Sequence, residues 1–529
     1  MESGKVMVKT AVASVSDKTG LAEFVSKLQR FDVEVLATGG SYTSLKEAGL
    51  KVKSLQEDMN LPTAVSGRVK TLHAPLQAAI LARGTPEHME ELRRMGVGPV
   101  DMVICNFYPF AEVLSEGAGE ERLVESIDIG GPTMVRAASK NFERVLVVPS
   151  PGLYGRVAAE LERNGGSSTL EFRREMAVEA FGLTASYDAG IFNGLRVRGL
   201  PPRLVLSATR YQEARYGENP DTKAVIYSLD GRSTMADWRQ MAGESMSFNN
   251  FLDVGSAYEM VEGYEQAAVA TVKHGQISGF ALAPTVSEAY KLAHSCDPEA
   301  DFGGTVVSNR EVDYDAARLI GKNEGAEDGS VYTEIVLAPS FSKEAVDLLQ
   351  SKQKKKIRLV QAAERPDFPY DLKVVEGVVL MQEAVDYRVK LDPSSLTFPT
   401  KAKPASDHLA VMLAAWEVVR RVQSNGIVVA WGIVEGGRLQ RFWTLGVASF
   451  RKRNGAVRIA LENAGARAKG AVCASDGFFP FRDSIDLLAE ARVSSIIQPG
   501  GSARDGEVVG AADEHSLAMA FTHTRAFKH

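Results

Sequence analysis

The chain opens on two successive strand, polar loop and helix units, and this alternation restricts its fold more than any other feature. Residues 7–15 form a largely apolar run that reads as a buried strand. Ser16-Asp17-Lys18-Thr19-Gly20 follows as a polar loop, and Leu21, Phe24, Val25 and Leu28 then recur on one helical face. The pattern repeats with a strand over 33–37, the loop Thr38-Gly39-Gly40-Ser41 and a helix over 42–48. Strands joined through crossover helices run parallel, so the alternation predicts an α/β fold with a parallel sheet covered on both faces. Each loop leads into a helix N-terminus, where backbone N–H groups and hydroxyls converge on an anion. Two such loops at successive strand ends predict a phosphate-binding site.

Later segments add chemistry to this frame. Gly67-Arg68-Val69-Lys70-Thr71-Leu72-His73 is cationic and precedes an apolar helix around 76–81. A strand over 100–105 runs into Asn106-Phe107-Tyr108-Pro109-Phe110, which leaves a phenol at the ligand-binding end of the sheet. In residues 127–141, Asp128 precedes Gly130-Gly131, and Pro132 predicts the start of a helix. On that helix Arg136 and Lys140 are four residues apart and share a face that suits an anionic substrate or simple solvation. After a strand over 144–148 and helices through 172–195, Pro201-Pro202 marks a linker over 196–206. The predicted domains are therefore 1–195 and 207–529.

Composition narrows the partners. With 529 residues there is ample core for several domains, and a net charge of −6 argues against a general nucleic-acid or membrane surface. The expected partners are small metabolites. Three distant cysteines, Cys105, Cys296 and Cys473, form neither a disulfide framework nor a metal pair, and the eight histidines are dispersed, so no metal is expected. Neither GxGxxG nor GxxxxGK occurs, so no nicotinamide or ATP is expected. No stretch approaches the ~18 consecutive apolar residues of a membrane span, and the chain reads as cytoplasmic. The run of cationic residues 352–356 reads as a solvated helix end.

Taken together, residues 14–20, 38–40, 67–73, 106–110 and 127–140 resemble the IMP cyclohydrolase domain of the PurH family of bifunctional purine-biosynthesis enzymes. Residues 215–220, 247–250, 272–274, 297–298, 302–304, 309–310, 424–425, 474–476, 478–481 and 497–502 resemble that family's AICAR transformylase region. The resemblance covers essentially the whole chain. It implies an N-terminal methylglyoxal-synthase-like parallel sheet domain. It also implies a C-terminal region of two cytidine-deaminase-like α/β subdomains, about 207–380 and 400–529.

The implied activities are the last two steps of IMP synthesis: formyl transfer from 10-formyltetrahydrofolate to AICAR, then dehydrative ring closure of formyl-AICAR. For ring closure the resemblance implies Lys140 as the proton-transfer residue, with Tyr108 and Asp128 orienting the reacting groups. Ser16, Asp17, Lys18, Thr38, Gly39, Gly40, Ser41, Arg68, Lys70, Thr71, Cys105, Asn106 and Ile129 would hold the nucleotide. For formyl transfer it implies His274 as base, Lys273 as electrostatic partner and Asn425 as a hydrogen-bonding group. Arg215, Tyr216, Phe302, Gly303 and Arg525 would bind AICAR, and Arg441, Phe479, Pro480, Asp483 and Ser502 the folate. A homodimer is implied as well.

The chain departs from the family pattern at Ala78-Ala79, where a glycine pair is usual, and at Asp221-Thr222, where His-Gln is usual. It departs again at Gln276-Ile277-Ser278-Gly279, where Asn-Pro-Cys-Gly is usual, and at residues 437–444, where the family has Gly-Gln-Met-Ser-Arg-Val-Asp-Ser. These changes motivate an alternative, a monofunctional cyclohydrolase with a divergent transformylase half. A second alternative is a non-catalytic nucleotide-binding regulator.

Overall fold

In the computed structural model, apolar runs of three to five residues become strands wherever both of their faces are covered. The structure describes residues 4–529 except 61, 63, 66–67, 197–198, 231–233, 322–332, 352–356 and 364–367, so the cationic run 352–356 and Gly67 lie outside the described residues. The chain divides into two compact units, Met1–Thr209 with Leu229–Gly231, and Arg210–Ser228 with Arg232–His529.

Among its described residues the first unit is built on five parallel strands: β1 (Thr10–Ser14), β2 (Glu34–Ala37), β3 (Lys53–Ser54), β4 (Met102–Cys105) and β5 (Leu146–Val148). Their order across the sheet is β3-β2-β1-β4-β5. The helix Leu21–Gln29 buries the four residues its periodicity marks, Leu21, Phe24, Val25 and Leu28, against this sheet. The run 7–15 is not one strand. Val6–Met7 pairs with Ser167–Ser168, and the Lys9 and Thr10 N–H groups are both taken by Asp101 Oδ2 at 2.9 Å where β1 begins. Arg144 holds the other oxygen of Asp101 at 2.5 Å, and its second nitrogen donates to the Val100 carbonyl.

The Gly39-Gly40 pair forms the first turn of the helix Gly39–Glu47, not a loop before it. The helix Gly130–Lys140 likewise starts two residues before Pro132, because Asp128 Oδ1 accepts the Gly131 N–H at 2.8 Å. Residues 170–195 are one helix, and Arg173 inside it donates to the carbonyls of Gly4, Phe142, Glu143 and Ser168. Val205, beyond the helix, is tied back to it, its carbonyl accepting from Asn193 Nδ2 at 2.9 Å.

Among its described residues the second unit carries eleven strands in one mixed sheet. In chain order they are β6 (Arg239–Ala242), β7 (Ala267–Lys273), β8 (Gln276–Ala283), β9 (Thr305–Ser308), β10 (Ile335–Ala338), β11 (Arg358–Gln361), β12 (Gly426–Glu435), β13 (Arg438–Ser449), β14 (Val472–Ser475), β15 (Ser495–Gln498) and β16 (Ala518–Phe521). Across the sheet they run β6-β11-β10-β9-β7-β8-β13-β12-β14-β15-β16.

The same sequence of elements occurs twice. A helix (Phe248–Val261 or Ser406–Val419) leads into an antiparallel hairpin (β7/β8 or β12/β13), then a helix (Val286–His294 or Arg453–Ala464), then three parallel strands joined by helices. The halves meet where β8 pairs antiparallel with β13, Ala281 opposite Trp443 and Leu282 opposite Phe442. Two similar α/β subdomains are thus present, as the resemblance implies, but they share one sheet. Close packing is equivalent in the two halves. A Cβ on Gly279 would lie 2.0 Å from the Ala293 carbonyl, and one on Gly446 would lie 2.0 Å from that of Ala460. Among the described residues no helix is long and apolar enough to cross a membrane.

Candidate active sites

Because β1, β2 and β4 run parallel, their carboxyl ends open on one edge of the first unit, where loops 14–18, 38–41 and 106–108 meet. With Arg68, Lys70, Thr71 and residues 124–131 these loops line a cavity of about 620 Å³. Asn106 fixes the first loop. Its Oδ1 accepts the Ser16 and Asp17 N–H groups at 2.7 and 2.9 Å, and its Nδ2 donates to the Asp17 carbonyl at 2.8 Å. Asp17 itself faces back into the loop, where its bonds to Thr19 hold its carboxyl below the usual range. Ser41 Oγ braces the same loop at Val15 from below.

No side chain caps the helix Gly39–Glu47, which leaves its first N–H groups available to an anion. The Lys18 ammonium lies over the start of that helix, 3.6 Å from where a Cβ on Gly40 would be. Cations and free N–H donors therefore share one wall.

The opposite wall carries the acid. A Cβ at Gly130 would sit 2.4 Å from Thr71 Oγ1, and one at Gly131 would sit 2.6 Å from Asp128 Oδ2. Only glycine lets Thr71 and Asp128 approach this closely. Burial pushes the Asp128 carboxyl up, against the opposing effect of N–H donors from Gly131, Tyr108 and Gly130. Burial and the neighbouring Asp128 raise the Tyr108 phenol, which nevertheless remains 46% exposed to the cavity. Tyr187, which the sequence reading did not single out, donates from its backbone-facing hydroxyl to Ser126 and accepts the Asp128 N–H at 2.8 Å. Arg68 is ion-paired with Glu125 on the cavity wall. Cys105 is buried under the sheet edge, its thiol pushed well up by burial, and it does not line the cavity. Ile129 does line it.

Lys140 stands elsewhere. It ends the helix that Gly130 begins, and at ~1.5 Å per residue the two ends are ~15 Å apart. With Arg136, Gln77, Thr133 and Phe181 it lines a second cavity of about 450 Å³. Arg136 and Lys140 do share a face, as their spacing predicts, but within one chain that face is not brought together with Tyr108 and Asp128.

In the second unit the transfer candidates cluster around two loops. Lys273 and His274 lie at the β7–β8 turn, and Lys273 Nζ donates to the Phe302 carbonyl at 2.6 Å, which joins them to the Phe302-Gly303 loop. Gln276 reaches Gln423, two residues before Asn425, at 3.4 Å. Asn425, which follows a cis peptide bond, donates to the Phe450 carbonyl at 3.1 Å and accepts from Arg453 Nη2 at 2.8 Å. The C-terminal residues close on the same place: the Ser424 N–H donates to Lys528 and the Ala526 N–H to Asp476. The Arg525 guanidinium lies over the Phe527 ring. Arg215 is exposed and paired with Glu244 at 2.7 Å, near Tyr216 in sequence but on a different loop from Phe302.

The folate candidates divide. Pro480 and Ser502 lie on the loops after β14 and β15, and Asp483 begins the helix that follows the first of these; Asn454 binds Asp483, and the Ser502 N–H is held by Asp505. The Phe479 ring, however, is fully buried in the core, and Phe478 and Phe481 are the exposed aromatics beside it. Arg441 is in mid-strand on β13, bound to Glu288, and on neither loop. The arginine that joins the cluster is Arg453, just past the end of β13, ion-paired with the fully buried Asp476. The reason is register: the loop after β13 is residues 450–452, whereas 437–444 form the hairpin turn and the strand itself. Among the described residues no group of three or more His, Cys, Asp or Glu side chains could hold a metal ion.

A cavity at a parallel sheet edge faces an uncapped helix start, and the duplicated sheet of the second unit carries a Lys-His turn of its own. Residues 138–462 match the family model described as AICARFT/IMPCHase bienzyme, and residues 20–133 match the MGS-like domain. Similar curated relatives are the bifunctional purine biosynthesis protein PurH of Desulfitobacterium hafniense and that of Acetivibrio thermocellus. Each is 39% identical, with 99% of this chain and 100% of the relative covered. The protein of the same name from Shouchella clausii is also 39% identical over the same shares. The crystal structure of ForH matches at 34% identity over 36% of this chain and all of its own, with a TM-score of 0.32. The chain belongs to the AICARFT/IMPCHase bienzyme family.

Proposed function

We propose that the second unit transfers the formyl group of 10-formyltetrahydrofolate to the 5-amine of AICAR, and that the first unit closes formyl-AICAR to IMP. Family membership supports both steps. The single observation that carries the residue-level reading is the 620 Å³ cavity, which opposes an uncapped helix start and Lys18 to Asp128 and Tyr108. A ribotide phosphate suits the first wall and the reacting carboxamide and formyl groups the second. In ring closure the carboxamide nitrogen attacks the formyl carbon of the same molecule and water leaves. Holding the two groups in contact supplies much of the acceleration. Asp128 and Tyr108 accept and return the protons that move between nitrogen and oxygen.

Lys140 takes part when a second copy of the chain presents the 450 Å³ face to this cavity, so the reading includes a homodimer. The geometry that supports this is the ~15 Å helix that keeps Lys140 from its own chain's Asp128.

For formyl transfer, His274 takes a proton from the AICAR amine as its nitrogen bonds to the formyl carbon, and N10 of the folate receives a proton as its bond to that carbon breaks, so that tetrahydrofolate leaves. Lys273 and Asn425 stabilise charge on the formyl oxygen. The altered turn is a filled one: Gln276 binds Gln423, and Ser278 Oγ binds Thr271 and Asp301 at 2.9 and 2.6 Å. That packing favours transfer over a degenerate second half. Purine ribotides and folate are the proposed ligands, in the cytoplasm, with no metal or nucleotide cofactor.

The test is IMP formation from two inputs, formyl-AICAR alone and AICAR with 10-formyltetrahydrofolate. IMP from both is expected. IMP from formyl-AICAR only would leave a cyclohydrolase, and IMP from neither would overturn both assignments.

A further inference from the structure

Under the β7–β8 turn lies a carboxylate to which neither reaction yet gives a task. Asp253 is on the helix Phe248–Val261, and its Oδ1 accepts the Gly275 N–H at 2.8 Å. The turn it holds is unusually demanding. Lys273 and Gln276 pair across it, so His274 and Gly275 are its only two residues, with φ of +52° and +70°. A two-residue hairpin turn with both φ values positive matches the twist of its strands, but it places a histidine where glycine or asparagine is at home. A left-handed histidine persists when its surroundings fix it. Asp253 is the side chain that bonds to this turn from below.

The same helix organises the neighbourhood. One turn earlier, Asn250 Nδ2 donates to Glu334 at 3.1 Å, and Glu334 pairs with Arg358 at 3.1 Å. Asp253 is thus faced by His274 and Gly275 from the turn and by Glu334 from the start of β10. Burial and Glu334 push its carboxyl up, while the Gly275 N–H and His274 oppose that shift. On the far side of the turn, Lys273 is committed to the Phe302 carbonyl. Fixing the turn at Gly275 therefore fixes the bearing of His274 relative to Lys273.

We propose that Asp253 is a positioning residue for formyl transfer, its side-chain oxygen holding the His274-Gly275 turn so that His274 addresses the reacting amine. The inference rests on the transformylase reading above. What the turn requires is an acceptor for the Gly275 N–H, which asparagine supplies and alanine does not.

The experiment compares Asp253→Ala and Asp253→Asn with the unmodified full chain. It measures kcat and KM for AICAR in formyl transfer, ring closure of formyl-AICAR, and the thermal melt. Asp253→Ala is expected to lower kcat about tenfold or more with KM changed less than about twofold, and Asp253→Asn to recover most of the loss. Ring closure stays unchanged in both. Equal losses in the two variants, a full kcat in Asp253→Ala, or a rise in KM alone would overturn the proposal. If Asp253→Ala does not fold, the comparison of Asp253→Asn with the unmodified chain decides: a loss of about tenfold or more in Asp253→Asn overturns the acceptor role, and near-normal kcat sustains it. An unmodified chain that closes the ring but transfers no formyl group overturns the transformylase reading, and the proposal with it.

Discussion

At the scale of single residues, the buried carboxyl of Asp128, proposed to act in ring closure, carries a stability cost. Its folded carboxyl titrates above the ordinary value of 3.8, so between those two pH values the folded chain holds a proton that the unfolded chain has lost. Stability therefore falls as pH rises through that window and stays lower above it. Asp128→Asn removes this loss and keeps an acceptor for the Gly131 N–H. The first unit of that variant is expected to melt higher at neutral pH, by about 2–4 °C per kcal/mol recovered, in a calorimetric scan. Ring closure in the variant is expected to drop by about 100-fold or more. In the unmodified chain the acid limb of ring closure is expected above the pH at which an exposed aspartate titrates. Arg453 gives the opposite case. Arg453→Met strands Asp476 as a buried charge, and urea unfolding of the second unit is expected to show a loss of about 3–5 kcal/mol. The sequence pointed to Arg441 instead, because a motif compared across a long hairpin does not reveal which arginine lies past the strand end. Side-chain direction was equally hidden at Phe479, one aromatic in a run of three whose outer members are exposed and whose middle member is core.

Among the elements, periodicity and turn chemistry were readable because they are local. The amphipathic face of Leu21–Gln29 and the apolar strands appear where their patterns put them, whereas both glycine pairs fall inside the first turns of their helices instead of before them. The ends shifted by a residue or two where groups far away in sequence meet them, such as Asp101 taking the N–H groups of Lys9 and Thr10. The position of Lys140 was not legible either. Helical spacing tells which residues share a face but not which cavity that face meets. Gly279 and Gly446 supply a test at this scale. Each Gly→Ala change drives a methyl into a helix carbonyl, and each is expected to destabilise the second unit by about 1–3 kcal/mol in chemical denaturation. Similar losses at the two positions would reflect the duplicated packing. A loss at only one would mean that one of the two helices can slide away from the sheet.

For the whole molecule, each candidate site draws its described residues from one unit, so the two activities should separate by mutation. His274→Ala is expected to abolish IMP formation from AICAR and leave IMP formation from formyl-AICAR intact, measured on the same preparation. A loss of both would mean that the sites depend on each other. The order of the two matched family segments was legible because their motifs follow one another along the chain. The single shared sheet of the second unit was not, since strand pairing across 160 residues leaves no local trace.

That shared sheet carries its own history. At the seam two equivalent strands, one from each half, run antiparallel and face each other. Such a pairing is self-complementary: a lone half would expose this edge, and the natural cover for it is the same edge of an identical half, turned about a two-fold axis. Duplication followed by fusion would then have enclosed an ancestral dimer within one polypeptide, leaving each half free to diverge at its loops. Two fragments cut near Val385 and expressed together should still find each other through that edge, and their failure to associate would count against this descent.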